Sequence, residues 1–176
     1  LLTLERIPVW ENDATLFRSA VKTSPNSARS YYGLGLSLHR TGQWEKALVS
    51  YEKALKIYPH YADAQYNRAA LLLGQKKYED AYNAYAEVVM WNPGYVKAKR
   101  ALALIEIDRG QIEIGLERLY ELVDERNGAE EAYESLVLAL MQLGRDGEAE
   151  RVLADGLRVV PNSARLHGLL PRVRAN

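Results

Sequence analysis

The chain has 176 residues, 48% of them hydrophobic and 26% charged, with 23 Lys and Arg balancing 23 Asp and Glu. That is ordinary globular composition, and a net charge of zero supplies no global field toward nucleic acid or a membrane surface. The absence of cysteine excludes disulfides, thiolate catalysis and cysteine-based metal sites, and no apolar run approaches the ~20 residues of a membrane span.

The opening, Leu1–Val9, is apolar at Leu1, Leu2, Leu4, Ile7 and Val9, and Pro8 argues against a long helix there. Trp10 follows, with Asn12 or Asp13 as the expected N-cap of a helix over Ala14–Thr23 whose Leu16, Phe17, Ala20 and Val21 share one face. From Ala28 to Tyr61 the residues read as two amphipathic helices joined by a short turn, and this unit then recurs. Prolines mark the beat: Pro25, Pro59 and Pro93 are 34 apart, and Pro161 lies 68, two beats, further on. The missed beat falls at Asn127-Gly128, another helix-stopping pair. A fixed period of this length is the signature of a repeat solenoid.

Within the unit, small residues recur where two helices must approach to ~8–10 Å. They are Gly35, Ala69 and Ala103 on the first helices and Ala47, Ala81, Gly115 and Ala149 on the second. Val137 is the one larger occupant, which predicts a looser crossing there. Gly42, Gly110 and Gly144 suit the left-handed conformation that closes helix C-termini. Gly74 is read as one place early in its unit, so that turn is expected to differ. Gly115, inside a helix, is expected to make the second helix of the third unit the least stable element, because interior glycine costs ~1 kcal/mol against alanine. After Pro161, Ala164–Val173 predicts a capping helix with Leu166, Leu169, Leu170 and Val173 as its apolar stripe and Arg165, Arg172 and Arg174 as its charges. Pro171 should kink or end it.

Catalytic constellations do not assemble. His39, His60 and His167 fall in separate regions without metal-ligand spacing and read as structural. Gly33-Leu34-Gly35 lies inside a helix after no strand, so it is no phosphate loop. Ser24, Ser27 and Ser30 sit where helix caps belong, and Glu130, Glu131 and Glu134 near a helix start, where the dipole favours carboxylates. The chain therefore reads as non-enzymatic, with no cofactor and no metal. Local charge is uneven: Ala28–Tyr61 carries five Lys/Arg against two Asp/Glu, and Glu130–Ser163 three against seven. The two readings are solvated faces of different composition, or a gradient that orients a ligand or favours head-to-tail association.

Tyr31-x-x-Leu34-Gly35-x-x-Leu38, then Ala47-x-x-x-Tyr51, Ala54 and Pro59, resemble the tetratricopeptide repeat. Ala69, Leu72, Ala81, Tyr85, Val88 and Pro93 fill the same slots in the next unit. Leu102, Ala103, Gly115, Leu119 and Leu122 follow in the third, and Tyr133, Leu136, Leu140, Ala149, Leu153, Gly156 and Pro161 in the fourth. The resemblance implies an all-α solenoid, a right-handed superhelix of antiparallel helix pairs. It implies a lead and half repeat over 1–27, repeats over 28–61, 62–95, 96–129 (divergent) and 130–163, and a cap over 164–176. Helices are expected at 28–41, 45–58, 62–74, 78–91, 96–109, 112–125, 130–143 and 146–159.

In that family the first helices line a concave groove. The matching positions are Arg29, Tyr32, Leu36 and His39; Asp63, Tyr66, Asn67, Ala70 and Leu73; Lys97, Arg100, Leu104 and Ile107; and Glu131, Glu134, Leu138 and Met141. Amides there could hold a peptide backbone and apolar patches its side chains. The carboxylate clamp of co-chaperones is incomplete: Asn67 and Lys97 match it, Arg100 is one place off, and Tyr32 and Leu36 replace the rest. The asparagine ladder of the O-GlcNAc transferase is absent, its slots holding Gly33, Asn67, Ala101 and Ser135.

Arg6, Trp10, Asn12, Leu16, Phe17 and Pro25 are similar to the lead into C-terminal repeat arrays of multispanning O-mannosyltransferase-like membrane proteins. Three roles are therefore carried forward: a scaffold or adaptor binding a peptide or partner protein, an extracytoplasmic accessory domain of a membrane glycosyltransferase, and a self-assembling module joined through its ends. No nucleic acid and no membrane contact by this segment is expected. Either the cytoplasmic or the extracytoplasmic (periplasmic) side of a membrane would suit it.

Overall fold

The computed structural model describes residues 9–125 and 129–173, with side chains at 14–125 and 130–173. The residues from Leu1 to Pro8, the Asn127-Gly128 pair and Arg174 lie outside the described residues, and with them the readings of the apolar lead, the missed beat and that arginine. Contacts divide the chain into two compact units, Leu1–Asn92 and Pro93–Asn176.

The first unit holds α1 (Val9–Thr23), α2 (Ala28–Arg40), α3 (Trp44–Ile57), α4 (Ala62–Gly74) and α5 (Tyr78–Trp91). The second holds α6 (Val96–Asp108), α7 (Ile112–Asp124), α8 (Ala129–Gln142), α9 (Asp146–Val159) and α10 (Ala164–Val173). From α2 to α9 every boundary falls within one residue of its expected place. No described helix is long and apolar enough to cross a membrane.

The N-terminal reading is corrected. Helix α1 begins at Val9, so Asn12 and Asp13 lie inside it rather than capping it. Nothing between Val9 and Ala14 breaks a helix, and Asn or Asp in an interior costs at most ~0.7 kcal/mol. The cap chemistry holds at Ser27, whose hydroxyl accepts from the Ser30 N–H at 3.2 Å. A second such cap, Ser163, starts α10: its Oγ accepts from the Leu166 N–H at 3.1 Å and donates to Glu130 Oε1 at 2.6 Å. Helix α10 runs through Pro171 to Val173, with Leu166, Leu169 and Val173 buried.

The turns follow the 34-residue beat more closely than the glycines do. Gly42, Gly110 and Gly144 have φ of 72°, 81° and 70°. Among the described residues the remaining left-handed one is Lys76 at φ 60°, 34 positions after Gly42. Gly74 is thus two places early, not one, and sits in the last position of α4 with open space around it. The turn geometry is kept and a lysine bears its strain, because the chain must reverse at the same step in each pair. A left-handed conformation costs a non-glycine residue roughly 1–2 kcal/mol. Lys76→Gly should therefore stabilise the chain, by about 0.5–1 kcal/mol after glycine's greater freedom when unfolded is offset. Gly42→Lys should lose a similar amount, and urea titration of the two variants checks the pair.

Each unit packs around its small-residue crossings. In the first, the Phe17 ring of α1 lies over Gly33 and the Tyr51 ring of α3 over Gly35, so closely that a Cβ on either glycine would stand 2.2 or 2.5 Å from ring carbon. The second unit has a larger aliphatic core, with Leu119 and Leu153 in the slots that Tyr51 and Tyr85 fill in the first, and Val137 wholly buried among them.

Candidate peptide-binding surfaces

In the first unit the face of α2 and α4 is aromatic. Tyr32, half-buried on α2, packs against Tyr61 and Tyr51 with ring centroids 5.0 and 6.1 Å away. Tyr58 continues the cluster at 5.9 Å from Tyr61, and Tyr66 of α4 meets Tyr85 of α5 at 5.4 Å. The rings gather because Tyr32 and Tyr66 are one beat apart, as are Tyr51 and Tyr85, so each pair of helices brings one of each together. Burial first, and then the Asp63 carboxylate, push the Tyr32 and Tyr61 phenols above their usual range. Both therefore stay neutral hydrogen-bonding groups across physiological pH.

Asn67 turns its amide inward. Its Nδ2 donates to the Asp63 carbonyl at 2.7 Å and to Tyr32 Oη at 3.5 Å. The donors that the sequence offered to a peptide backbone are thus engaged within the unit. His39 sits half-buried with Nδ1 3.5 Å from Tyr51 Oη. Leu36, Ala70 and Leu73 are half-buried beside this face, while Arg29 and Asp63 are exposed. The other histidines are structural: His60 stacks on Trp91 at 4.9 Å, and His167 Nε2 lies 2.8 Å from the Pro161 carbonyl oxygen.

In the second unit, Lys97 is exposed and Arg100 half-buried on α6, three residues apart. Residues at that spacing share a helix face. Among the described residues neither makes an ion pair, while their neighbours do. Lys99 Nζ is 2.7 Å from Glu125, and Arg165 of α10 lies 3.5 and 3.6 Å from Glu131 and Glu134. Glu131, which could have paired with Lys97 or Arg100, is held by Arg165 instead. Leu104, one turn further along α6, is 39% exposed, and Leu138 of α8 is half-buried.

One comparison with known proteins falls on the first repeat and another straddles the first two. Family models for the tetratricopeptide repeat match residues 28–61 and 50–87. The chain carries tetratricopeptide repeats. A search of curated protein sequences finds no match. Similar solved structures include TTC0263, a thermophilic TPR protein of Thermus thermophilus, at TM-score 0.77 and 18% identity over 95% of this chain and 91% of that one. MamA from Desulfovibrio magneticus RS-1 superposes at TM-score 0.74 and 21% identity over 88% of each chain. YrrB, a TPR protein with an unusual peptide-binding site, superposes at TM-score 0.68 and 21% identity over 87% of this chain and 79% of that one. The fold class is the all-α TPR solenoid.

Against this TPR register one groove position is corrected. Ile107 is only 7% exposed and cannot line an open surface. Helix α6 is buried over a wider arc than a single face, at Leu102, Ala103, Ile105, Glu106 and Ile107. The cause is Gly115: with no side chain there, α7 closes on α6 and Ile107 fills the space, 2.6 Å from where a Cβ would stand. Tyr61 and Tyr58 are the residues that the sequence reading left out. The signal for Tyr61 was its repetition one beat later at Tyr95.

Proposed function

We propose that this chain is a protein-interaction scaffold without chemistry of its own, which holds a peptide or partner protein on the surface of its first helices. The reading extends the repeat organisation over 28–163 and assigns α2, α4, α6 and α8 as the contact helices. The observation that carries it is the pair Lys97 and Arg100. Two cations on one face, beside the exposed Leu104 and among neighbours already paired, are suited to a carboxylate or acidic side chain of a partner. The aromatic face around Tyr32 and Tyr66 supplies rigid apolar contact in the first unit.

Affinity capture with the native full-length protein, followed by peptide identification, tests the reading. Lys97→Glu with Arg100→Glu should abolish most capture while leaving the melting temperature nearly unchanged. Lys53→Glu with Lys56→Glu on α3 should leave capture intact. Raised salt should release the partner, because exposed charges are screened over ~8–10 Å at physiological ionic strength. Capture that survives the α6 pair and fails with the α3 pair would place the surface elsewhere. A polypeptide acceptor presented to a membrane glycosyltransferase would use the same face, and would be recovered in this capture as a single recurrent substrate.

A further inference from the structure

The charges of α6 run against its helix dipole. A helix favours carboxylates in its first turn and cations in its last. Helices α4 and α8 comply at their starts, with Asp63 and with Glu130 and Glu131. Helix α6 has no acid in its first turn and no base in its last. Lys97 and Lys99 stand near its start, Arg100 follows, and Asp108 is its final residue. Lys99 is bridged to Glu125 and Glu106 to Arg118, and Arg109 at the C-cap is partnered too. Among the described residues Lys97, Arg100 and the exposed Asp108 make no ion pair. Three charges thus sit where the dipole disfavours them, with no neighbour bridging them. Such a departure from local preference marks positions kept for something outside the fold.

Their spacing describes what would compensate them. Arg100, Leu104 and Asp108 recur every four residues, so they climb one face of α6 in steps of about 6 Å. Alternate residues of an extended chain point the same way and lie about 6.6 Å apart. An extended segment laid along α6 therefore presents one side chain to each step. Lys97, one turn before Arg100, adds a second cation to the first step. The middle step is apolar: Leu104 is 39% exposed, and Leu138 holds the same slot on α8, which touches α6.

We infer that the partner segment held here is an extended stretch with an acidic, an apolar and a basic residue at alternate positions. Its carboxylate meets Arg100 and Lys97, its apolar side chain lies on Leu104, and its cation meets Asp108. This rests on the reading of the first helices as the contact surface and adds the order of the groups that they select. The same residues in another order set a charge against Leu104 or against its like on α6, which is how such a surface rejects them.

Fluorescence anisotropy with the full chain tests this. The probes are labelled serine peptides, blocked at both ends, that carry one glutamate, one leucine and one lysine at alternate positions. Two ordered peptides hold leucine in the middle, one for each chain direction. A shuffled peptide moves leucine to one end of the same three positions. The better of the ordered peptides should bind at least about tenfold tighter than the shuffled one. Asp108→Lys should lose that binding by a similar factor, with its melting temperature unchanged or raised, since a cation there suits the dipole. The ordered peptide with glutamate in place of its lysine should then bind Asp108→Lys more tightly than the parent. Lys97→Glu with Arg100→Glu should abolish binding of the ordered peptide. Equal binding of ordered and shuffled peptides that is still lost with the α6 cations would overturn the inference alone and leave the contact surface standing. No binding of either ordered peptide, or no effect of Asp108→Lys, would overturn it too, while capture by the native protein decides the surface independently.

Discussion

Replacing Arg118 by alanine is expected to destabilise the chain by about 3–5 kcal/mol, the cost of breaking a buried ion pair from one side. Glu106 is 1% exposed on α6, and both its carboxylate oxygens are taken by the Arg118 guanidinium, at 3.0 Å from Nε and 2.8 Å from Nη2. The beat shows how unusual this is. The Glu106 slot holds Leu38, Leu72 and Leu140 in the other helix pairs, and the Arg118 slot holds Ser50, Ala84 and Val152. A leucine-lined position has become a salt bridge, with its partner one helix away. Removing the arginine takes the bidentate donor from a carboxylate that is 1% exposed. Removing both should be harmless. Glu106→Leu with Arg118→Val copies the α8–α9 solution, and it should be neutral or stabilising by ~1–4 kcal/mol, because two charges no longer have to be desolvated. Urea midpoints of the single and double variants decide the matter. If the double variant is as unstable as Arg118→Ala, the pair is needed for more than its own compensation.

The helices were legible because the repeat supplies each boundary four times over. A proline or glycine obscured in one unit is visible 34 residues away, so all the spans from α2 to α9 came within a residue. What failed to show was whatever depends on two helices meeting. Glu106 reads as one charged residue in an apolar run, and only the crossing with α7 brings Arg118 to it. Asn67 reads as an amide aimed outward, yet Asp63 and Tyr32 claim its donors. Ile107 reads as a groove residue by position, and the glycine across the crossing buries it. Lys76 hides a left-handed turn because no side-chain pattern marks positive φ when glycine is missing. The proposed contact residues share this difficulty: among the described residues Glu131 is met by Arg165, on α10, and nothing local to Lys97 and Arg100 announces that.

Gly115→Ala separates helix propensity from packing most sharply. Propensity alone expects a gain of ~1 kcal/mol, since interior glycine is the poorest residue for a helix short of proline. On that basis α7 should be the weakest element. The crossing opposes the substitution all the same. A Cβ at Gly115 would stand 2.5 Å from the Ala103 carbonyl oxygen and 2.6 Å from Ile107 Cγ1. An isoleucine can change rotamer, but a helix carbonyl cannot move without its helix. The two helices would have to separate, opening the crossing that buries Ile107, Leu116 and Leu119. Overpacking of this kind typically costs about 1–3 kcal/mol, which exceeds the propensity gain, so the net effect should be a loss. Gly35→Ala provides the comparison. There the added methyl meets the Tyr51 ring at 2.5 Å rather than backbone, and a side chain can yield. Gly35→Ala should therefore cost less than Gly115→Ala, although both glycines occupy crossing slots, one in the first repeat and one in the third. Thermal or urea unfolding of the two variants ranks them directly. A Gly115→Ala protein more stable than its parent would show that the α6–α7 crossing can open freely and that glycine there serves no packing purpose.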